Sequence, residues 1–179
     1  MSGLSAFEGE RDVESPAAME ELGRQLGRAL TAGDLVVLTG PLGAGKTTLT
    51  RGIAEGLGVR GPVQSPTFVI ARTHPSLSGG VPLVHVDAYR LGSAAELDDL
   101  GLDVDRSVTV VEWGRGMVDG LVDEWWDIEL DREWGGAGVD TACGTSGPAG
   151  REMDDLAPRR VTITRHPSSP AAGPVGRRG

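Results

Sequence analysis

Apolar positions recur along the chain at two spacings, and each spacing predicts a different kind of element. The first is a spacing of three or four residues, which predicts a helix with one apolar face. It joins Met19, Leu22, Leu26 and Leu30. Ser15 is a suitable N-cap for this helix and Pro16 suits its first turn, so the helix is expected to begin there and to stop near Gly33.

The second pattern is a short, continuous apolar run bounded by turn residues, which is typical of a buried strand in a parallel sheet. Such runs lie at 35–39, 68–71, 83–87 and 108–112, with weaker candidates at 10–14, 126–130 and 160–164. Helical segments are expected between them, at about 46–57 and 94–99. Strands that alternate with helices predict an α/β protein with a mostly parallel central sheet.

Composition limits how much of the chain folds. The 179 residues suffice for a compact domain, and the 28 glycines and 11 prolines crowd toward the C-terminal end. We therefore expect a domain over 10–134, a flexible insertion over 135–157, the last strand of the domain over 158–166 and a disordered tail over 167–179.

Charge and cysteine content exclude several classes of protein. The net charge of −9 argues against a surface that wraps nucleic acid throughout. A single cysteine, Cys143, excludes an internal disulfide and a cysteine-rich metal site. No apolar stretch is long enough to cross a bilayer, and the N-terminus lacks the features of a signal peptide. The expected location is the cytoplasm, with no membrane partner.

The run at 35–39 leads into a segment that matches the phosphate-binding pattern G-x-x-x-x-G-K-[ST] in full. It comprises Gly40, Pro41, Leu42, Gly43, Ala44, Gly45, Lys46 and Thr47, and Thr48 follows in the expected helix. The glycines allow backbone N–H groups to turn toward a phosphate, and the helix adds its positive end. Because a strand precedes it and a helix follows, a plain glycine-rich turn is the weaker interpretation. The segment predicts a P-loop NTPase-like three-layer sandwich that binds ATP and Mg²⁺.

Lys46 is the only lysine among the 17 lysine and arginine residues. The chain uses arginine wherever a plain positive charge suffices, yet the motif position holds a lysine. A guanidinium is a broad planar fork, whereas an ammonium is a point charge that reaches the β- and γ-phosphates through a tight loop. No second lysine is left for the Asn-Lys-x-Asp element with which GTPases recognise guanine, so ATP is favoured over GTP.

Two further strands end in a carboxylate, Asp87 and Glu112. In an open α/β sheet, ligands sit at the carboxyl edge of the strands, where the phosphate loop also emerges. We expect one acid to hold Mg²⁺ together with Thr47, and the other to orient the attacking water. Taken singly, each would be a polar residue where a strand reaches the surface. Their coincidence with the loop favours a catalytic role for both, alongside Lys46.

Two other residues have a functional and a structural interpretation of similar weight. Thr67 follows Ser65 and Pro66, where P-loop proteins carry a segment that senses the γ-phosphate, but a plain turn is nearly as well supported. Trp113 directly follows the second carboxylate and packs either near a nucleotide or in the core. His85 lies on the opposite side of its strand from its apolar neighbours, and an ordinary core histidine accounts for it.

Together, in this order, the motifs resemble the TsaE (YjeE) family. The resemblance rests on the segments 33–48, Ser65-Pro66-Thr67-Phe68, His85-Val86-Asp87-Ala88-Tyr89-Arg90-Leu91, Glu96 with Asp99-Leu100-Gly101-Leu102, and Val111-Glu112-Trp113. It covers about 15–130, and the strand at 160–164 is similar to the family's last strand. The family's motif has leucine where this chain has Ala88, and it offers no role for the insertion or the tail.

The resemblance implies a bacterial Mg²⁺-dependent ATPase needed to make threonylcarbamoyladenosine (t6A) in tRNA. Such an ATPase is weak alone and hydrolyses ATP when bound to a TsaD–TsaB heterodimer, so it meets tRNA only through that complex. Carried over by position, Lys46 binds phosphate, and Thr47 and Glu112 ligate Mg²⁺. Asp87 positions water or ligates the metal. Thr67 is the switch residue and Trp113 lies beside the nucleotide.

Two alternatives remain open from the residues alone. The first is a free-standing P-loop phosphotransferase that acts on a small acceptor. Arg72, Arg90 and Arg115 are scattered, however, and do not form the arginine-bearing lid that such enzymes use. The second is a non-catalytic module that senses nucleotides, against which the two strand-end carboxylates count.

Overall fold

The elements form a mixed seven-stranded sheet with helices packed against it. The computed structural model describes residues 3–64, 70–132 and 158–167. Within these ranges the strands are β1 (Gly9–Val13), β2 (Leu35–Thr39), β3 (Ala71–His74), β4 (Leu83–Asp87), β5 (Val108–Glu112), β6 (Glu124–Arg132) and β7 (Arg159–Pro167). The α-helices there are α1 (Pro16–Ala29), α2 (Lys46–Leu57) and the short α3 (Ala94–Asp98).

The sheet order is β1-β7-β6-β2-β5-β4-β3. The four central strands β6, β2, β5 and β4 run parallel, as the apolar runs predict, and β1, β7 and β3 join by antiparallel pairing. Parallel neighbours end at the same edge of a sheet. Glu112 therefore lies in register with Leu38 of β2 on one side and with Asp87 of β4 on the other. The predicted α/β, P-loop-like class is confirmed.

Each face of the central strands carries its own apolar cluster. Val36 and Leu38 belong to the cluster that includes the buried stripe of α1. Val37 and Val111 belong to the opposite cluster, which includes Leu97 of α3. The alternation of side chains along each strand divides the core in this way. A sheet covered on both faces explains why these strands are apolar throughout.

The first helix begins and packs as the sequence predicts. The hydroxyl of Ser15 accepts a hydrogen bond from the backbone N–H of Ala18 at 3.1 Å, and Pro16 is the first helical residue. The apolar stripe is buried in full: Met19, Leu22, Leu26 and Leu30. Burial of each such side chain stabilises the fold by about 1.5–3 kcal/mol, so the stripe fixes the rotation of α1 on the sheet.

One edge strand differs from its predicted position. The apolar run at 68–71 predicts a strand there, but β3 spans Ala71–His74. Ile70 has a φ of 46°, which a regular strand residue does not adopt, and 65–69 lie outside the described residues. Strand β3 exposes Arg72 and Thr73. An edge strand needs few apolar side chains, so apolarity alone places it wrongly.

Two of the three weaker strand candidates, 126–130 and 160–164, are strands that are longer than predicted. Strand β6 extends the run at 126–130 to nine residues, and β7 extends the run at 160–164 to nine residues. Trp125 and Trp126 of β6 are buried. The insertion at 135–157 lies outside the described residues, as does the tail beyond Pro167, so those boundaries stay predictions.

Helices α1 and α2 approach each other through glycines. A Cβ added to Gly23 of α1 would lie 2.8 Å from the Cα of Gly52 in α2. One added to Gly27 would lie 3.0 Å from the Cα of Gly56. At these distances no side chain fits, so the two helix backbones touch. The contact holds the middle and the end of α2, the helix that follows the glycine-rich loop, against α1.

Gly52→Ala is expected to destabilise the protein. Its methyl group would lie 2.2 Å from the carbonyl oxygen of Glu20. Overpacking costs about 1–3 kcal/mol, which exceeds the roughly 0.5–1 kcal/mol by which alanine favours a helix over glycine. The melting temperature should therefore fall by several degrees in thermal unfolding. Gly80→Ala is the control, because Gly80 is exposed and the nearest neighbour of the added methyl group would be the side-chain oxygen of Ser76 at 3.3 Å. An unchanged or higher melting temperature for Gly52→Ala would contradict the close contact.

Candidate functional site

The glycine-rich loop joins the central strand β2 to α2 in a tightly curled conformation. Gly40, Gly43 and Gly45 have φ values of 145°, 76° and 105°, a region that side chains strongly disfavour. A Cβ on Gly40 would also lie 2.3 Å from the carbonyl oxygen of Leu130 in β6. Glycine is therefore required at this position both by backbone conformation and by the close approach of β6.

Lys46, the first residue of α2, is buried beneath this loop and is only 5% exposed. Its Nζ donates hydrogen bonds to the carbonyl oxygens of Gly40 (2.7 Å) and Pro41 (2.9 Å). Burial lowers the pKa of its ammonium group, and the negative charges of Glu112 and Asp87 partly offset that effect. The ammonium thus lies at the centre of the loop with acidic groups beside it.

The two strand-end carboxylates lie beside the first turn of α2. Glu112 is 3% exposed, and its Oε1 accepts a hydrogen bond from the hydroxyl of Thr47 at 3.3 Å. Asp87 is half-buried, and its Oδ1 accepts from the backbone N–H of Tyr89 at 3.1 Å. The structure therefore brings together the loop hydroxyl and both acids that the sequence singled out.

These groups line one cavity of about 690 Å³. The predicted site residues on its wall are Leu42, Gly43, Gly45, Lys46, Thr47, Thr48, Asp87, Glu112 and Trp113. Two predicted residues are not on this wall: Pro41, whose carbonyl oxygen binds Lys46, and Ala44, a buried residue of the loop. Thr67 lies outside the described residues, so its role as a switch stays a prediction.

Trp113 covers the buried ammonium. The ring centroid of Trp113 lies 4.0 Å from Nζ of Lys46, which is a cation–π distance. Its φ of 65° is unusual for a residue with a side chain. Of the two interpretations that the sequence left open, the structure favours the one that places Trp113 at the site, because the side chain lines the cavity.

The sequence reasoning missed Tyr89 as a site residue. Its ring lies edge-on to Trp113 with 5.5 Å between centroids, and 72% of the residue is exposed at the cavity mouth. The signal was present, since Tyr89 follows Asp87 by two residues in the motif that carried the family resemblance.

A second cavity, of about 60 Å³, lies on the other side of the loop. It is bordered by the start of α1 and by Arg159 of β7, and it shares Gly43, Gly45 and Thr48 with the larger cavity. The loop therefore separates two openings at one edge of the sheet. Sequence reasoning did not assign Arg159 to the site, because nothing local relates β7 to the loop.

An ion-pair network fixes the segment that follows Trp113. Arg115 donates hydrogen bonds to Asp127 and to Glu129 (3.0 Å), both on β6. Asp127 is 4% exposed and also accepts from the hydroxyl of Thr39 at 3.0 Å. The network joins the end of β2, the middle of β6 and the loop after β5.

The described residues contain neither a metal-binding cluster nor a membrane-spanning helix. No group of three or more histidine, cysteine, aspartate or glutamate side chains there is arranged to hold a metal ion. No helix in the described ranges is long and apolar enough to cross a membrane.

The central strand, the curled glycine-rich loop and the helix that follows define a P-loop-like α/β protein. The particular family follows from comparison: a model for "Threonylcarbamoyl adenosine biosynthesis protein TsaE" matches residues 13–136. The chain belongs to this TsaE family. Membership places it among the proteins of threonylcarbamoyladenosine biosynthesis, and confirms the resemblance drawn from the motifs.

Individual relatives carry the name of the same family. The chain is 63% identical over 120 residues to the tRNA threonylcarbamoyladenosine biosynthesis protein TsaE of Streptomyces coelicolor, covering 65% of this chain and 81% of the relative. It is 52% identical over 120 residues to the protein of that name from Mycobacterium tuberculosis, covering 62% and 71%. The crystal structure of Bacillus subtilis YdiB is 28% identical with a TM-score of 0.59, covering 89% of this chain and 85% of that one.

Arg115→Met is expected to lower the free energy of unfolding by about 1–3 kcal/mol, because it removes a hydrogen-bond donor from the buried carboxylate of Asp127. Denaturant unfolding measures the change. Arg51→Met is the matched control, since Arg51 pairs with Glu20 at 3.9 Å on the surface, where such pairs contribute about 0–1 kcal/mol. Equal losses in the two variants would show that the network does not stabilise the fold beyond an ordinary surface pair.

Proposed function

We propose that this protein is a Mg²⁺-dependent ATP hydrolase of the cytoplasm that acts in t6A biosynthesis when bound to a TsaD–TsaB heterodimer. One observation carries the proposal, the convergence of four side chains on one cavity: Lys46, Thr47, Asp87 and Glu112. A cation, a hydroxyl and two carboxylates beside a glycine-rich loop are the groups that phosphoryl transfer to water requires.

The triphosphate of ATP would lie along the loop, with the γ-phosphate in the larger cavity. Lys46 has the charge and the position to bind it, and it would exchange its bonds to the carbonyl oxygens of Gly40 and Pro41 for bonds to phosphate oxygens. Thr48 borders both cavities. The larger cavity, of about 690 Å³, has room for the rest of the nucleotide, whereas the smaller one, of about 60 Å³, has not. The absence of a second lysine favours adenine over guanine.

The donor atoms beside the loop fit Mg²⁺. They are the hydroxyl of Thr47 and the carboxylate of Glu112, hard oxygen ligands that already lie within 3.3 Å of each other. Mg²⁺ commonly takes only one or two protein ligands and completes its shell with phosphates and water. The metal, when bound, would neutralise charge that develops on the phosphate oxygens. We assign Thr47 and Glu112 to it because they are in mutual contact.

Asp87 would then orient the attacking water. It lies on the same cavity wall as Lys46, in register with Glu112 on the neighbouring strand. Its Oδ1 is held by the backbone N–H of Tyr89, which leaves Oδ2 as an acceptor for water. A carboxylate fixed in this way places a water without itself needing to bind the metal.

The partner would dock over the mouth of the cavity. Leu42 and Tyr89 are 87% and 72% exposed there, and both line the cavity. Apolar groups exposed beside a site are typical of surfaces that another protein covers. A docked TsaD–TsaB pair would exclude bulk water but keep the one water that Asp87 orients, and hydrolysis would then be faster in the complex than in the isolated chain. The tRNA would then be reached only through that complex.

Asp87→Asn and Glu112→Gln test the catalytic assignment. Each keeps the shape of the side chain and removes its charge, so the fold should survive while ATP turnover with TsaD–TsaB falls about a hundredfold or more. Turnover is measured with and without the heterodimer. Stimulation of the wild-type chain by the heterodimer is part of the expectation. If the heterodimer does not stimulate turnover and phosphate passes to a small acceptor instead, the free-standing phosphotransferase is favoured.

Trp113 should report nucleotide binding by its fluorescence. Addition of Mg²⁺-ATP should change its emission, because the ring lies 4.0 Å from the ammonium that binds phosphate. Trp113→Phe should lose the response, while Trp125→Phe, which alters a buried tryptophan outside the cavity, should keep it. Lys46→Ala should show neither the response nor nucleotide affinity in calorimetry. A response that survives in Trp113→Phe would mean that the nucleotide lies elsewhere.

A further inference from the structure

A fully buried histidine lies directly behind the Glu112 carboxylate. His85, in β4, has none of its surface exposed, and its Nε2 lies 2.9 Å from Oε1 of Glu112. An ionised carboxylate can only accept hydrogen bonds, so Nε2 carries the hydrogen and donates it. From the sequence alone, His85 is interpreted only as a core residue.

The strand register makes this contact possible. His85 precedes Asp87 by two residues, so both side chains project from the same face of β4. Asp87 is the register partner of Glu112 across the β4–β5 pair, and His85 is that of Val110. His85 therefore lies two residues further from the carboxyl edge of the sheet than Asp87. Glu112 lies between His85 and Thr47.

The bond to Glu112 is the only side-chain hydrogen bond found for His85 within the described residues. Its other ring nitrogen, Nδ1, is buried without a partner there. A buried polar ring with an unsatisfied nitrogen is unfavourable compared with an apolar side chain of similar size. Core packing alone would therefore favour leucine or methionine at this position. The polar ring needs another reason to be there, and its single bond to Glu112 supplies one.

We propose that His85 is a positioning residue that fixes the Glu112 carboxylate for Mg²⁺. Oε1 of Glu112 receives hydrogen bonds from His85 on the sheet side and from Thr47 on the loop side. With Oε1 held, the carboxylate cannot rotate, and Oε2 keeps a fixed direction. The inference rests on the proposed assignment of Thr47 and Glu112 to the metal.

The expected effect is on the metal and not on the nucleotide itself. Partners that orient a ligating side chain typically change metal affinity or activity about ten- to a hundredfold when they are removed. Mg²⁺ increases the affinity for ATP, and loss of His85 should reduce that increase about ten- to a hundredfold. Affinity without metal depends on the loop and Lys46 and should be unchanged.

Calorimetry of ATP binding by the full chain, in EDTA and in Mg²⁺, separates the two effects. For the wild-type chain, Mg²⁺ should tighten binding. For His85→Leu, binding in EDTA should match that of the wild-type chain, while the gain from Mg²⁺ falls about ten- to a hundredfold. His74→Leu is the matched control, because His74 is also a buried histidine of the sheet but bonds the carbonyl oxygen of Arg60. It should keep the full Mg²⁺ effect.

A second pair of variants keeps the test valid even where His85→Leu does not fold. The amide nitrogen of glutamine in His85→Gln can take the place of Nε2, whereas the shorter asparagine in His85→Asn places its amide nearer the position of Nδ1. The Mg²⁺ effect should be retained in His85→Gln and lost in His85→Asn. Equal behaviour of these two polar variants would overturn the proposal.

Glu112→Gln shows whether His85 acts through Glu112. In that background, His85→Leu should cause no further loss of the Mg²⁺ effect. An additional loss of full size would mean that His85 acts by another route, and would overturn the proposal. Failure of the wild-type chain to respond to Mg²⁺ at all would instead overturn the proposed function. A wild-type response that persists undiminished in His85→Leu would overturn only the role of His85.

Discussion

The buried ammonium of Lys46 is the interaction on which the rest of the site depends. A charge removed from water needs hydrogen-bond partners, and Lys46 takes them from the carbonyl oxygens of Gly40 and Pro41. Those oxygens point inward only because the loop curls back, through the positive φ values of Gly40, Gly43 and Gly45. The bonds hold the loop in shape without a ligand. They leave the ammonium at the position where a negative ligand would gain most from it.

The loop is local in sequence, but the acids that face it are brought there by the order of the strands. Because β5 lies next to β2 and β4 lies next to β5, three strand ends occupy neighbouring positions along one edge of the sheet. Glu112 is nearest and touches the hydroxyl of Thr47, while Asp87 lies one strand further away. The difference in distance from the loop is the physical basis for giving the two acids different roles.

The distinction between contacts that are local in sequence and contacts that depend on strand order also explains what could be predicted from the sequence. The loop, the cap at Ser15 and the apolar stripe of α1 depend on neighbours within a few residues, so pattern alone finds them. The bonds from His85 to Glu112 and from Arg115 to Asp127 join residues 27 and 12 positions apart. Both depend on which strands are neighbours, and no local pattern specifies that. The edge strand β3 was misplaced for a related reason, since edge strands carry a weak apolar signal.

Backbone strain at the carboxyl edge supports a functional reading of this geometry. Among the described residues, two that are not glycine have positive φ, Ile70 and Trp113. Trp113 follows Glu112 directly, and the carbonyl oxygen of Ile70 accepts a hydrogen bond from the backbone N–H of Asp87 at 2.7 Å. Each such conformation costs about 1–3 kcal/mol, and stability alone would favour glycine or a relaxed turn. Ile70 and Trp113 lie beside the two acids. The unfavourable backbone conformations therefore occur where the chain must hold Asp87 and Glu112 in place.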